Sequence, residues 1–210
     1  FLELNEVNFN LIIKYKKYLP NFSYLLDNFK LIETNSENEL KYVEPWILWP
    51  TVHTGLKYAE HNLFNLNDYY KLNNLQIWEI LSSKNINCAA ISPMNAKDNF
   101  DNKSVYLPDP WSKNSAKGSF LIEFLRNTCS YFVNNNAGKK NVIKYLNLLI
   151  CFIVFARLKN YFIYIKYFLK SLSKKWYQTI FFDLLLFDFS TKFINKKYEF
   201  VSIFLNGAAH

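Results

Sequence analysis

Residues 43–62, VEPWILWPTVHTGLKYAEHN, gather side chains suited to acid–base or nucleophilic chemistry: Glu44, Thr51, His53 and His61. Glu44 stands directly before Pro45. Proline is favoured at the first position of a helix, because the N–H that it lacks has no partner there. The segment therefore predicts a helix that begins at Pro45, with Glu44 at its N-cap, and stops at Gly55. Free backbone N–H groups and the positive end of the helix dipole make such an N-terminus a candidate binding site for an oxyanion or phosphate.

The elements that must position these residues can be predicted from hydrophobic periodicity. Short apolar runs that end in polar residues predict strands at 1–4, 30–34, 86–92 and 200–206. Apolar residues at helical spacing occupy 7–17, 20–28, 74–83 and 118–133. This alternation predicts an α/β fold, with a mainly parallel sheet flanked by helices.

Ligands of parallel sheets bind where loops leave the carboxyl ends of the strands. Glu6, Asn95 and His210 come after the first, third and fourth apolar runs. We therefore expect them to face one crevice, and we expect Glu6, Glu44 and His210 to lie together at the carboxyl edge of one sheet.

Several motifs resemble the alkaline phosphatase superfamily, especially its phosphodiesterase/nucleotide-pyrophosphatase and sulfatase branches. LPNFSYLL (19–26) is similar to the element after the first metal-binding strand, and HTGLKYAEHNLF (53–64) is similar to the TG..P..HGI signature. EFVSIFLNGAAH (199–210) resembles a later strand and loop that bring further metal ligands. The blocks ELNEVNF, ISPMNA and PDPW also resemble a bacterial subgroup associated with surface-polysaccharide genes.

This resemblance implies an alkaline phosphatase-like core made of 1–117 and 199–210, with 118–198 as a helical insertion or cover. It also implies that further metal ligands lie beyond the NGAAH block, so we expect this chain to be an N-terminal fragment without appreciable activity of its own. The implied function of the whole protein is that of a metal-dependent hydrolase or phospho-group transferase. Its expected substrates are phosphate or sulfate esters, glycan- or lipid-linked.

Members of the superfamily hold two divalent ions, often zinc, that polarise the phosphoryl group. The metal-binding Asp of the first strand exit falls on Asn5 or Glu6, and Glu6 is the better ligand because an amide is a poor one. The alternative is a solvated carboxylate at a helix start. A second metal-binding Asp falls on Ala209, which leaves the adjacent His210 as the most plausible imidazole ligand.

The nucleophile position departs from the family, since it falls on Pro45. Glu44 beside it is a candidate nucleophile, general base or metal ligand, or it merely caps the helix. Thr51 replaces it as the candidate if the helix begins later, with Pro50 in its first turn. Asn95 is a candidate donor to a phosphoryl oxygen or a routine turn residue. Trp46 could stack on a sugar or lipid head group, although core packing is its default.

These departures leave a second function open, namely a catalytically degenerate domain of the same fold that binds glycan or a protein. The formal charge of +8 comes from dispersed lysines without a recognition motif, so no nucleic-acid partner is expected. Three widely spaced cysteines favour a reducing compartment, and we expect a cytoplasmic protein.

The apolar stretch at 145–170 raises the question of a membrane. Its uninterrupted core, 148–156, is far shorter than the ~20 residues of a spanning helix. Arg157, Lys159 and Lys166 interrupt the second half of the stretch. The stretch therefore predicts two partly buried helices, and a helix lying on an anionic membrane surface is the alternative.

Overall fold

A computed structural model describes residues 1–99, 104–135, 141–194 and 197–209; His210 lies outside them. Its sheet has the order β1-β4-β2-β3, and each neighbouring pair is parallel. The strands are β1 (Leu2–Leu4), β2 (Cys88–Ile91), β3 (Val105–Leu107) and β4 (Phe200–Leu205). The α/β class with a parallel sheet flanked by helices is confirmed.

The α-helices of the described ranges are α1 (Phe9–Lys14), α2 (Pro20–Asn28), α3 (Pro45–Thr54), α4 (Tyr58–His61), α5 (Ile77–Ser83), α6 (Phe120–Asn134), α7 (Val142–Phe155), α8 (Tyr161–Ser171) and α9 (Tyr177–Ser190). Helix α3 begins at Pro45 with Glu44 at the N-cap, and Gly55 ends it in the left-handed conformation, at φ 74°. Both ends of this helix are therefore those that the sequence predicts. No helix in the described parts of the chain is long and apolar enough to cross a membrane.

Helices cover both faces of the sheet. Because the register pairs Ala90 with both Ser202 and Tyr106, these side chains share one face, where Trp78 of α5 packs. On the other face, strand residues such as Ile91 and Ile203 join a large core with α6, α7, α8 and α9. The sheet is thus the middle layer, and its carboxyl edge is lined by loops from both helical layers.

One strand assigned from the sequence is absent, and one observed strand was not predicted. Residues 30–34 form no strand, and Leu31 and Ile32 are 57% and 70% exposed. An apolar run becomes a strand only if a neighbour pairs with its backbone, and no described strand pairs with this one. Conversely, β3 was not predicted, because it has only three residues, although all three are buried.

Candidate functional site

The exit of β1 is tied to its surroundings by Asn5. The Asn5 amide nitrogen donates to the Asn206 side chain after β4 at 2.7 Å. Its amide oxygen accepts from the Trp49 indole of α3 at 2.9 Å. Asn5 is buried. Asn5 therefore joins the exits of β1 and β4 to α3, and both atoms of its amide are already hydrogen-bonded. Of the two candidate metal ligands at this exit, Asn5 and Glu6, only Glu6 has a side chain that is free.

Glu6 has an unusual backbone and a free side chain. Its φ of 53° lies in the left-handed region, which costs a residue other than glycine about 1 kcal/mol. The side chain is exposed, and its carboxylate makes no hydrogen bond or ion pair with a described residue. Backbone strain at a strand exit is a recognised feature of functional sites.

Glu44 lies at the same edge of the sheet. The N-terminal half of α3 is held there, because the Trp46 carbonyl accepts from Asn95, after β2, and the Trp49 indole donates to Asn5, after β1. The Glu44 side chain is exposed and does not cap the helix. Glu6 and Glu44 are thus two exposed carboxylates without a described partner. Glu44 stands at the N-terminus of α3, whereas Glu6 follows Asn5, which bonds Trp49 one turn further along that helix. The third residue expected here, His210, lies outside the described residues.

Thr51 lies at the seventh position of α3 and not in its first turn. Its hydroxyl is 3.1 Å from His61 Nε2. Since the Leu63 N–H donates to Nδ1 of His61, the neutral ring carries its proton on Nε2 and donates to Thr51. Burial lowers the pKa of His61, which favours this neutral form. The imidazole therefore does not act on Thr51 as a base in this arrangement.

The two candidate substrate-binding residues connect loops. Asn95 is buried, at φ 51°, and its amide donates to the carbonyls of Trp46 at 2.8 Å and Asn65 at 3.2 Å. Its oxygen accepts from the Tyr69 N–H. The Trp46 indole donates to the Phe64 carbonyl at 3.1 Å. Their donors already have protein acceptors, so the half-buried ring of Trp46 is the part that remains for a ligand.

Asp109 organises the loops after β2 and β3. Its carboxylate is 1% exposed and accepts the N–H groups of Trp111 and Ser112 at 2.9 Å each, and that of Asn95 at 3.2 Å. Burial raises the pKa of Asp109 to about 6, against the opposing effects of these three donors and of Arg126. The carboxylate therefore holds two strand-exit loops together.

A cavity of about 210 Å³ opens at this edge, on the α9 side. Ser92 and Trp111 line it with Asn206, and Asp183 of α9 closes one wall. Ser92 directly follows β2 and has φ 60°. The Asp183 carboxylate accepts the N–H groups of Asn206 at 3.2 Å and Gly207 at 2.5 Å. Neither Ser92 nor Asp183 is among the site residues predicted from the sequence. Ser92 could have been identified by its position directly after a predicted strand. Asp183 lies on a helix distant in the sequence, and nothing in the local sequence indicates that it reaches this edge.

Beneath the edge lies a buried polar trio, Glu3, His53 and Ser202. Glu3 accepts from the Ser202 hydroxyl, and its other oxygen is 2.8 Å from His53 Nε2. The side chains of Glu3 and His53 are fully buried. They consequently hold β1, β4 and α3 together, and they do not reach a substrate.

Metal-binding capacity has to be judged without His210. Among the described residues, no group of three or more His, Cys, Asp or Glu side chains is arranged to hold an ion. Glu6 and Glu44 are exposed carboxylates that no described residue pairs with, so either is free to bind an ion. The three cysteines are buried thiols, and burial raises the pKa of Cys129 and Cys151.

Comparisons of the chain with models of protein families, with curated proteins and with solved structures return no match. The likeness to the alkaline phosphatase superfamily therefore rests on the sequence motifs alone.

Proposed function

We propose that the carboxyl edge of the sheet is a metal-dependent site for phosphate or sulfate esters, as in a hydrolase or phospho-group transferase of the alkaline phosphatase superfamily. The observation that carries the proposal is Glu6, which follows β1 with a left-handed backbone and an exposed carboxylate that has no described partner. Glu44 adds a second unpaired carboxylate at the N-terminus of α3.

The residues take distinct roles in this proposal. Glu6 would hold a divalent ion, zinc or manganese, and His210 would supply an imidazole. A bound ion supplies charge that polarises the phosphoryl group. Glu44, at the N-cap, is the candidate base or nucleophile. Pro45 has no N–H, and those of Ile47 and Leu48 donate to the Glu44 carbonyl, so the Trp46 N–H is the first-turn donor that would face an anionic oxygen. Asn95 keeps the β2 exit loop against α3, and the ring of Trp46 stacks on a sugar or lipid head group of the substrate. The cytoplasmic location and a two-ion site in the whole protein remain predictions.

Metal binding is the first test. Isothermal titration with Zn²⁺ and Mn²⁺ compares the chain with Glu6→Gln and Glu44→Gln. The matched control is Glu199→Gln, because Glu199 is exposed but precedes β4 and lies at the opposite edge of the sheet. We expect binding to weaken roughly tenfold or more in Glu6→Gln and to stay unchanged in the control. Equal affinities in all four proteins would contradict the proposed site.

A degenerate binding domain is the second candidate. It is favoured by the first turn of α3, which begins Pro45-Trp46-Ile47 and offers no hydroxyl or thiol. Hydrolysis of nitrophenyl phosphate mono- and diesters with added Zn²⁺ or Mn²⁺ separates the two functions. Turnover that disappears in Glu44→Gln supports the hydrolase. Absence of both metal binding and turnover supports the binding domain.

A further inference from the structure

Helix α7 is apolar on the side that faces away from the core. Its inner side packs Leu148, Cys151 and Phe155 into the main core. Its outer side carries aliphatic residues at helical spacing, each between 45% and 74% exposed: Val142, Ile143, Leu146, Leu149, Ile150 and Ile153. A helix that is hydrophobic all round is normally buried on all sides. Here one side has no cover from the described residues.

Helix α8 and the residue after it extend this surface. Phe162, Ile165, Leu169 and Leu172 recur at helical spacing and are 79%, 55%, 58% and 73% exposed. A groove of about 340 Å³ runs between α7 and α8, and Leu149, Ile165 and Leu169 all line it. The two stripes therefore meet across the groove. We call these ten exposed residues, six on α7 and four on or just after α8, the α7–α8 face.

The segment that carries this face has charged side chains of one sign only. Residues 141–182 contain no Asp or Glu and seven cationic residues: Lys144, Arg157, Lys159, Lys166, Lys170, Lys174 and Lys175. Lys166 and Lys170 are exposed and share one flank of α8 next to its apolar stripe, and exposed Lys159 lies in the turn just before that helix. None of the seven forms an ion pair with a described residue. An apolar centre beside a cationic flank is the pattern of an interfacial helix.

The face is also held in place. The buried carboxylate of Asp188, on α9, accepts from the Arg157 N–H at 2.8 Å, the Asn160 amide at 2.7 Å and the Tyr164 hydroxyl at 3.1 Å. These bonds fix the turn between α7 and α8 against α9. The two stripes are thus presented together on a fixed support.

We propose that the α7–α8 face docks on the surface of an anionic lipid bilayer. The helices lie in the plane of the interface, the apolar stripes enter the acyl boundary, and Lys159, Lys166 and Lys170 reach the lipid phosphates. The 14 residues of α7 extend about 21 Å, short of the roughly 30 Å hydrocarbon core, so they rest on the bilayer and do not span it. A second copy fits the face less well, because it would bring the same uncompensated positive charge against it.

The test is flotation of the whole chain with vesicles of phosphatidylcholine alone and of phosphatidylcholine with 30% phosphatidylglycerol. The charge variant is Lys159→Gln/Lys166→Gln/Lys170→Gln, and its control is Lys14→Gln/Lys17→Gln/Lys30→Gln, at three lysines exposed elsewhere. The apolar variant is Phe162→Ser/Leu169→Ser. Its control is Leu40→Ser/Phe120→Ser, at side chains that are 90% and 80% exposed. All these positions are exposed, so the fold should survive each change.

We expect binding to anionic vesicles only, weakened by raised salt. One lysine near an anionic surface contributes about fivefold, so the charge variant should bind roughly 100-fold more weakly. The apolar variant should lose at least ~10-fold, and both controls should bind like the parent. Equal binding to both vesicle types, or equal losses in the controls, would overturn the proposal. Self-association that requires Phe162 and Leu169 without vesicle binding would also overturn it and assign the face to a second copy.

Discussion

Asp109 supplies a pH-dependent stability that can be isolated by a single substitution. In Asp109→Asn the side chain keeps its shape but no longer titrates. The wild-type carboxyl has its pKa raised by burial from 3.8 to about 6. The folded protein therefore holds this proton over a pH range in which the unfolded chain has already released it. Stability from this group is fully present below the unfolded pKa and is lost as the pH rises through the folded one.

The magnitude comes from the shift of about two pKa units at 1.36 kcal/mol each, or about 3 kcal/mol in total. The carboxylate is 1% exposed, so solvent screening does not reduce this value. The free energy of unfolding of the wild type, minus that of Asp109→Asn, should thus fall by about 2–3 kcal/mol between pH 4 and pH 7 and be flat above that. Any constant offset between the two proteins, such as a hydrogen bond lost in the variant, cancels from this slope.

Urea denaturation at half-unit pH steps measures the difference. Asp27→Asn is the matched control, because the Lys16 ammonium lowers the pKa of exposed Asp27 and the corresponding difference should rise with pH. A wild-type-minus-Asp109→Asn difference that is constant from pH 4 to pH 7, or that rises, would refute the argument that burial outweighs the three N–H donors.

Three further substitutions test how the edge and its support are held, each by urea denaturation at pH 7. Asp188→Ala leaves three donors without their acceptor and should lower the free energy of unfolding by about 2–4 kcal/mol; a loss under 1 kcal/mol would contradict the anchoring role. Ser92→Gly relieves a left-handed backbone and should raise stability by about 0.5 kcal/mol, whereas a decrease would show that the hydroxyl matters more than the strain. Glu3→Ala removes the carboxylate that bonds both His53 and Ser202 and should lower the free energy of unfolding by about 3–5 kcal/mol. An unchanged free energy of unfolding would show that these three side chains do not stabilise the fold together.

Much of the fold could be predicted from local signals. Helix α3 shows both of its ends in the sequence, because proline at position 45 favours a helix start and glycine at position 55 adopts the left-handed conformation without steric cost. Strand β4 was likewise visible as a buried apolar run that ends in Asn206. Residues 30–34 have the same local character and form no strand, because strand formation depends on a partner that local sequence does not reveal.

The candidate site was harder to predict for a related reason. Glu6 and Glu44 were identifiable because each stands next to an element boundary that the sequence marks. Asn95 has the residue type of an oxyanion donor, but its amide is engaged with two carbonyls of other segments. Asp183 reaches the edge from α9, nearly a hundred residues beyond the β2 exit, and only the packing of that helix on the sheet brings it there. Residue type and spacing thus predict that polar residues gather at the carboxyl edge of the sheet. Whether the polar atoms of each residue are free or already hydrogen-bonded depends on tertiary contacts that the sequence does not reveal.

The most direct test of the account is the position of a bound ion. Crystals of the chain grown with Zn²⁺ should give an anomalous difference peak at the carboxyl edge of the sheet, about 2.0–2.2 Å from a carboxylate oxygen of Glu6. The peak should be absent from crystals of Glu6→Gln and retained in those of Glu199→Gln. An ion bound away from Glu6 and Glu44, or a peak that persists in Glu6→Gln, would contradict the claim that these carboxylates form a metal site.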